Sequence, residues 1–141
     1  RRSARVLAGA PGARSQRPAL LTLIAESLLK ERRYAAARDA YLRTFRASPD
    51  TDYGATALYG AGSLELEQLG QPGRARRHLE RYLRRVPSGN QREGAYYLLY
   101  RALRRLGRDA EAADLARRYR GLFPGGQFAG QMGPSGDTSG Q

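Results

Sequence analysis

The sequence predicts an all-α protein built from three helical hairpins, about six helices in all. Two observations carry this prediction. A set of small, aromatic and proline residues recurs about every 37 residues, and apolar residues recur at helical spacing within each copy. The boundaries give repeats of about 18–51, 52–89 and 90–124, within one domain of residues 18–124. A chain of 141 residues is long enough for such a domain to bury a core.

The recurring residues have the same physical role in each copy. A glycine ends the first helix, because glycine takes the left-handed conformation at low cost. A small alanine lies where the second helix crosses a neighbour closely, bulky residues follow at helical spacing, and a proline ends the helix. The matched sets are Gly70, Ala75, Tyr82 and Pro87 in the second copy and Gly107, Ala112, Tyr119 and Pro124 in the third. In the first copy, Ala37, Tyr41 and Pro49 fall on Ala75, Leu79 and Pro87 of the second.

Helical hairpins with these small, aromatic and proline positions resemble the tetratricopeptide repeat family. The first copy carries Leu21, Ile24 and Ala25 at the positions of the family's first helix. The resemblance implies a right-handed superhelix of three hairpins that holds another protein. The ending "RARRHLERYLRRVPSG" is similar to that of bacterial cell-envelope adaptors in this family. This similarity favours the bacterial envelope or periplasm over the cytoplasm.

The two ends of the chain differ from the domain in composition. Residues 1–17 contain five arginines, no acidic residue, and Gly and Pro that interrupt a helix, so we expect a basic flexible arm or linker. Residues 125–141 are rich in Gly, Ser and Gln, and we expect a disordered tail. The chain begins at Arg1 rather than Met, and we expect it to be part of a longer protein.

The composition argues against catalysis and against a metal site. There is no cysteine, and the single histidine, His78, lies beside Leu79 at a position expected to be partly exposed. Glu65 and Glu67 are two residues apart, so they diverge on a helix. We therefore predict a non-enzymatic protein with no cofactor and no metal. No apolar run approaches the roughly 18 residues that a membrane span needs.

The net charge of +12 raises the question of an anionic partner. The basic residues are arginines except for Lys30, and many lie in the second helix of the second copy. Helical spacing places these arginines on an outer face, with Arg76 and Glu80 as an i,i+4 pair. The inner stripe is Ala75, Leu79, Tyr82, Leu83 and Val86. Because no groove-reading motif or base-stacking platform is present, a solvated face is preferred, and a basic nucleic-acid-associated module stays as an alternative.

The family resemblance places the partner-binding surface on the first helices of the hairpins. The family's contact positions carry over to Gly94, Tyr97, Arg101, Arg104 and Arg105 in the third copy, and to Thr22, Glu26, Leu29 and Lys30 in the first. Tyr97, Arg101, Arg104 and Arg108 also recur at helical spacing as one stripe. We predict that this surface binds a partner segment. The alternatives are a helix surface that contacts nothing specific and a surface covered by the tail. The Asn and Lys residues that clamp a carboxylate in the family are absent here.

These observations together predict a protein-interaction adaptor or scaffold. The partner is a protein or peptide, and the arginines favour an acidic one. Self-association through the terminal helices is a second expectation, because the ends of a helical array need covering. A C-terminal regulatory domain of a FecR-like or other envelope signalling protein is an alternative function that the same resemblance implies.

Overall fold

The computed structural model describes residues 11–85 and 91–133, and within them it contains six α-helices, one short 3₁₀ turn and no strand. The helices are α1 (Pro11–Lys30), α2 (Tyr34–Ala47), α3 (Asp52–Glu67), α4 (Pro72–Arg85), α5 (Arg92–Arg105) and α6 (Asp109–Leu122), followed by the 3₁₀ turn Ala129–Gln131. The predicted all-α class of three helical hairpins is confirmed. The predicted arm over residues 1–10 and the predicted tail over residues 134–141 lie outside the described residues.

The turns inside the hairpins use left-handed residues, as the glycine positions predicted. Gly70 and Gly107 have φ of 61° and 76°. Arg32 stands at the corresponding place in the first hairpin with φ of 60°, a conformation that a non-glycine residue adopts at some cost. After Gly107 the Arg108 N–H donates to the Leu103 carbonyl at 2.8 Å, which satisfies a carbonyl left free at the end of α5.

The chain divides into two compact units, Arg1–Ala61 and Gly62–Gln141, and the boundary falls inside α3. The core of the first unit is built largely from small side chains. Ala25, Ala37 and Ala57 are fully or almost fully buried. Tyr41 packs against Gly60, where an added Cβ would lie 3.1 Å from the ring. This contact explains why a glycine stands in the middle of a helix at that position.

The core of the second unit is formed by alanine, leucine and tyrosine side chains from α4, α5 and α6. Buried residues are Ala75, Leu79 and Tyr82 from α4, Tyr96, Leu99 and Leu103 from α5, and Ala112, Leu115 and Tyr119 from α6. Gly62 lets α3 approach α4 closely, because a Cβ there would lie 2.8 Å from Cγ of Leu79. Each leucine of this kind contributes roughly 2 kcal/mol by burial.

The first helix starts earlier than the sequence predicted. Residues 11–17, assigned above to a non-helical arm, are helical. Proline is favoured at the first helical position, where its missing N–H costs nothing, so Pro11 acts as a start signal. Ile24, expected at a core position of this helix, is 45% exposed, together with Leu20 and Leu23. None of the helices within the described residues is long and apolar enough to cross a membrane.

The segment that follows α6, residues 123–133, is ordered, which corrects the expectation of disorder from residue 125 onward. Met132 is only 1% exposed, and the segment contains the turn Ala129–Gln131. The Arg120 guanidinium of α6 donates to the Gly133 carbonyl at 2.7 Å. The prediction failed because composition averages over the segment, whereas a few apolar side chains and satisfied backbone groups suffice to hold it.

Candidate partner-binding surface

The predicted stripe on α5 is held by contacts within the second unit. The Tyr97 ring stacks on the Phe128 ring with centroids 4.6 Å apart and planes 4° apart. The Arg101 guanidinium lies 5.5 Å from the Tyr97 ring centroid and pairs with Glu67 at 2.6 Å. Tyr97 is thus partly covered by the C-terminal segment, which agrees with one of the alternatives raised from the sequence. Nothing in the sequence pattern indicated Phe128 and Glu67 as neighbours of this stripe.

The remaining arginines of the stripe also have partners. Arg104 donates to the Tyr100 hydroxyl at 3.0 Å and pairs with Asp109 at 3.0 Å. The hydrogen bond to Tyr100, with the charge of Asp109, raises the pKa of the Arg104 guanidinium above its ordinary value. Arg108 pairs with Glu111 at 3.6 Å. These side chains are nevertheless about half exposed, so their charges face solvent.

Arg105 reaches the end of α3 instead of pairing with a carboxylate. Its guanidinium donates to the backbone carbonyl of Leu66 at 2.7 Å. Together with the Arg101–Glu67 pair, this bond ties α5 to the last turn of α3. A carbonyl carries only a partial charge, so the positive charge of Arg105 is not neutralised by this contact.

The first unit contains the other two predicted site residues. Glu26 and Lys30 are both exposed on α1. Burial, and to a lesser degree the charge of Glu26, raises the pKa of the Tyr41 hydroxyl. Because these residues lie in the first unit and the arginine stripe lies in the second, each set is described by itself.

A buried carboxylate that was not predicted from the sequence lies at the end of α3. Glu65 is fully buried, and its Oε1 lies 2.6 Å from Nδ1 of His78 on α4. The signal was present, since Leu58, Gly62 and Glu65 recur at i, i+4 and i+7 on the inner side of α3. No cluster of three or more metal-ligating side chains occurs among residues 11–85 and 91–133. The contact between Glu65 and His78 joins α3 to α4.

A second hydrogen-bond network fastens the C-terminal segment. The buried Tyr119 hydroxyl donates to Oε2 of Glu93 at 2.7 Å and accepts from the Phe128 N–H at 2.9 Å. The Gln127 N–H donates to the same Glu93 oxygen at 3.2 Å. Burial, then the hydrogen bond to Glu93, raises the pKa of Tyr119. Gly126 is required at this point because an added Cβ would lie 2.3 Å from the hydroxyl.

The arginine-rich helix α4 has the two faces that the sequence predicted. Ala75, Leu79 and Tyr82 are buried, whereas Arg77 is exposed like most of the other arginines. The predicted pair of Arg76 and Glu80 forms with a distance of 3.0 Å. Most arginines of α4 therefore belong to its outer face. Val86 of the predicted inner stripe lies outside the described residues.

The repeated hairpins and the conserved roles of their glycine, alanine and aromatic positions define a helical-repeat protein. The family model described as tetratricopeptide repeat matches residues 22–90 and again residues 63–126. The chain belongs to the tetratricopeptide repeat family, whose members are protein–protein interaction modules. No match to the chain is found among curated proteins.

Proposed function

We propose that this domain is a non-enzymatic adaptor that binds an acidic segment of a partner protein over the arginines of α5. The observation that carries the proposal is how the three arginines of the stripe, Arg101, Arg104 and Arg108, are oriented and exposed. Ion pairs and aromatic rings orient these side chains, yet between 35% and 54% of each side chain is exposed. Side chains that are already ordered lose less entropy when a partner binds.

The choice of contact residues depends on which side chains of the stripe the C-terminal segment already covers. Tyr97 is half-buried under Phe128, so we assign it the role of orienting Arg101 rather than of touching the partner. Arg101, Arg104, Arg105 and Arg108 supply the charges. Guanidinium groups bind carboxylates through paired N–H donors, so acidic side chains or a free C-terminus on the partner fit this surface.

Charge reversal tests the proposal. The variant Arg101→Glu/Arg104→Glu should lose its partner in quantitative affinity purification while keeping its helical circular dichroism and melting temperature within a few degrees. Arg74→Glu/Arg77→Glu is the matched control, because it changes the net charge equally at exposed positions of α4. If both double variants retain the same partners, the proposed location of the binding surface is wrong. If both lose their partners equally, binding depends on net charge and not on this surface.

Two further features belong to the same proposal. Exposed Leu20, Leu23 and Ile24 give α1 an apolar face, which supports self-association through this terminal helix. The similarity of the α4 ending to envelope adaptors supports a place in a bacterial cell-envelope assembly. Fractionation of cells that produce the protein would test that location directly.

A further inference from the structure

A cavity of about 620 Å³ lies between α4, α5 and α6 in the second unit. Its apolar lining comes from all three helices and consists of Leu83, Tyr96, Leu99, Leu103 and Leu115. Its volume is within the roughly 300–1,000 Å³ that is typical of binding sites. Charged side chains of Glu80, Arg84, Arg92, Glu111, Asp114 and Arg118 also line it. The adaptor proposal assigns no role to this cavity.

The acidic groups of the cavity are already paired with arginines outside its lining. Glu80 pairs with Arg76, Glu111 with Arg108 and Asp114 with Arg117. Each pair lies within one helix or at its start, so the carboxylates are satisfied without an added cation. The acidic groups therefore do not call for a basic partner.

The arginines that line the cavity, unlike its acidic groups, do not all have partners. Arg92 donates to the Leu83 carbonyl at 3.2 Å and to the Tyr96 hydroxyl at 3.3 Å. Arg84 and Arg118 line the cavity, are exposed, and have no ion pair or hydrogen bond to any other described residue. Two available guanidinium groups beside an apolar floor are complementary to a ligand that joins an apolar group to carboxylates.

The cavity and the arginine stripe use different faces of α5. The cavity receives positions 92, 96, 99 and 103, and the stripe uses positions 97, 101 and 104. At 100° per residue the centres of these two sets lie about 140° apart around the helix. A ligand in the cavity therefore contacts a different face of α5 from the one that carries Tyr97, Arg101 and Arg104.

We propose that this cavity is a second peptide-binding site, which takes a large apolar side chain of a partner segment whose flanking carboxylates bind Arg84 and Arg118. The apolar side chain packs on the leucines of α4, α5 and α6, where it leaves water. The carboxylates make the paired hydrogen bonds that the two guanidinium groups lack. The inference rests on the domain being a protein-binding module, but it does not depend on the α5 stripe.

A defined peptide tests the site on the full chain. The probe is the terminally blocked peptide Glu-Glu-Leu-Phe-Glu-Glu, added at about 0.15 M salt so that distant charges are screened. Leucine-methyl NMR spectra should show shifts at Leu83, Leu99, Leu103 and Leu115, with a dissociation constant below ~1 mM. A control peptide with Gly-Gly in place of Leu-Phe should bind at least about tenfold more weakly, because it lacks the apolar anchor.

Charge reversal on the protein completes the test. Arg84→Glu/Arg118→Glu should weaken binding of the probe at least about tenfold, since it replaces two charged hydrogen-bond donors at exposed positions. The matched control Arg74→Glu/Arg77→Glu, with the same net charge, should weaken it by less than about twofold. These results, with leucine shifts confined to the cavity, would support the proposal.

Three results would overturn the inference. They are the absence of leucine-methyl shifts at ~1 mM probe, equal weakening by both charge-reversal variants, and equal binding of the Gly-Gly peptide. The Arg101→Glu/Arg104→Glu variant separates the two proposals. If only that variant loses binding of the probe, the cavity proposal is wrong and the α5 surface is the binding site. If only Arg84→Glu/Arg118→Glu loses binding, the probe binds in the cavity.

Discussion

Replacing Tyr119 with phenylalanine removes one hydroxyl group from the network that fastens the C-terminal segment. The ring remains, so the buried apolar volume changes little. The hydroxyl donates to the Glu93 carboxylate at 2.7 Å and accepts from the Phe128 N–H at 2.9 Å. The substitution therefore removes two hydrogen bonds, one between α6 and α5 and one between α6 and the C-terminal segment.

The magnitude follows from the kind of bond that is lost. A hydrogen bond to a charged group contributes about 1.5–3 kcal/mol, and a neutral one about 1 kcal/mol. Because the Phe128 N–H is partly buried, it is not fully rehydrated after the change. We expect the free energy of unfolding to fall by about 2.5–4 kcal/mol, which for a domain of this size lowers the melting temperature by roughly 10–16 °C.

Thermal and urea denaturation followed by circular dichroism measure this loss. Tyr53→Phe is the matched control, since Tyr53 is 46% exposed and makes no described hydrogen bond. Amide hydrogen exchange should also be faster at Gln127 and Phe128 in the Tyr119→Phe variant. The reasoning is refuted if Tyr119→Phe costs no more stability than Tyr53→Phe and leaves the exchange of both amides unchanged.

The same hydroxyl gives a test in alkaline solution. Burial and the Glu93 bond raise the pKa of folded Tyr119 above the ordinary value of 10.0. Above that pH the unfolded chain releases this proton while the folded chain keeps it, so the unfolded state binds fewer protons and stability falls as pH rises. Tyr119→Phe should reduce this loss of stability between about pH 9 and 11. Equal pH profiles for the two proteins would contradict the assignment.

Two other predictions follow from the described contacts. His78→Ala should lower the free energy of unfolding by about 1–3 kcal/mol in urea, because the buried Glu65 loses its contact with the imidazole. Exposed Arg77→Ala should change it by at most about 0.5 kcal/mol. Equal effects of the two changes would contradict a stabilising pair. Leu20→Glu/Leu23→Glu should abolish the concentration-dependent association that we propose for α1, as measured by sedimentation velocity. A monomeric parent protein at high concentration would refute that proposal.

Much of the fold could be predicted because its signals are local. Gly70 and Gly107 end first helices in the left-handed conformation, and Ala75 and Ala112 are buried where the pattern placed them. A helix ends and a turn forms according to the conformational limits of a few adjacent residues. Recurrence of such signals along the chain identified the repeat before any contact was known.

The site was harder to predict because it depends on residues far apart in the chain. Tyr97 and Arg101 were identified on a common face of α5, but Phe128 and Glu67, which cover and pair with them, were not. The cavity that Arg84 lines was also not predicted from the sequence, because its walls come from three helices. A periodic pattern shows which side of one helix a residue occupies, not which residue of another helix meets it.

The sequence by itself therefore determined the all-α class, the three hairpins and the outward face of the arginines on α4. Only the tertiary structure decided that Glu65 is buried against His78 and that residues 123–133 are held by Glu93 and Tyr119. The physical reason is that backbone conformation is set by neighbours in the chain. The burial of a carboxylate, or the order of a glycine-rich segment, depends on partners that distant helices supply.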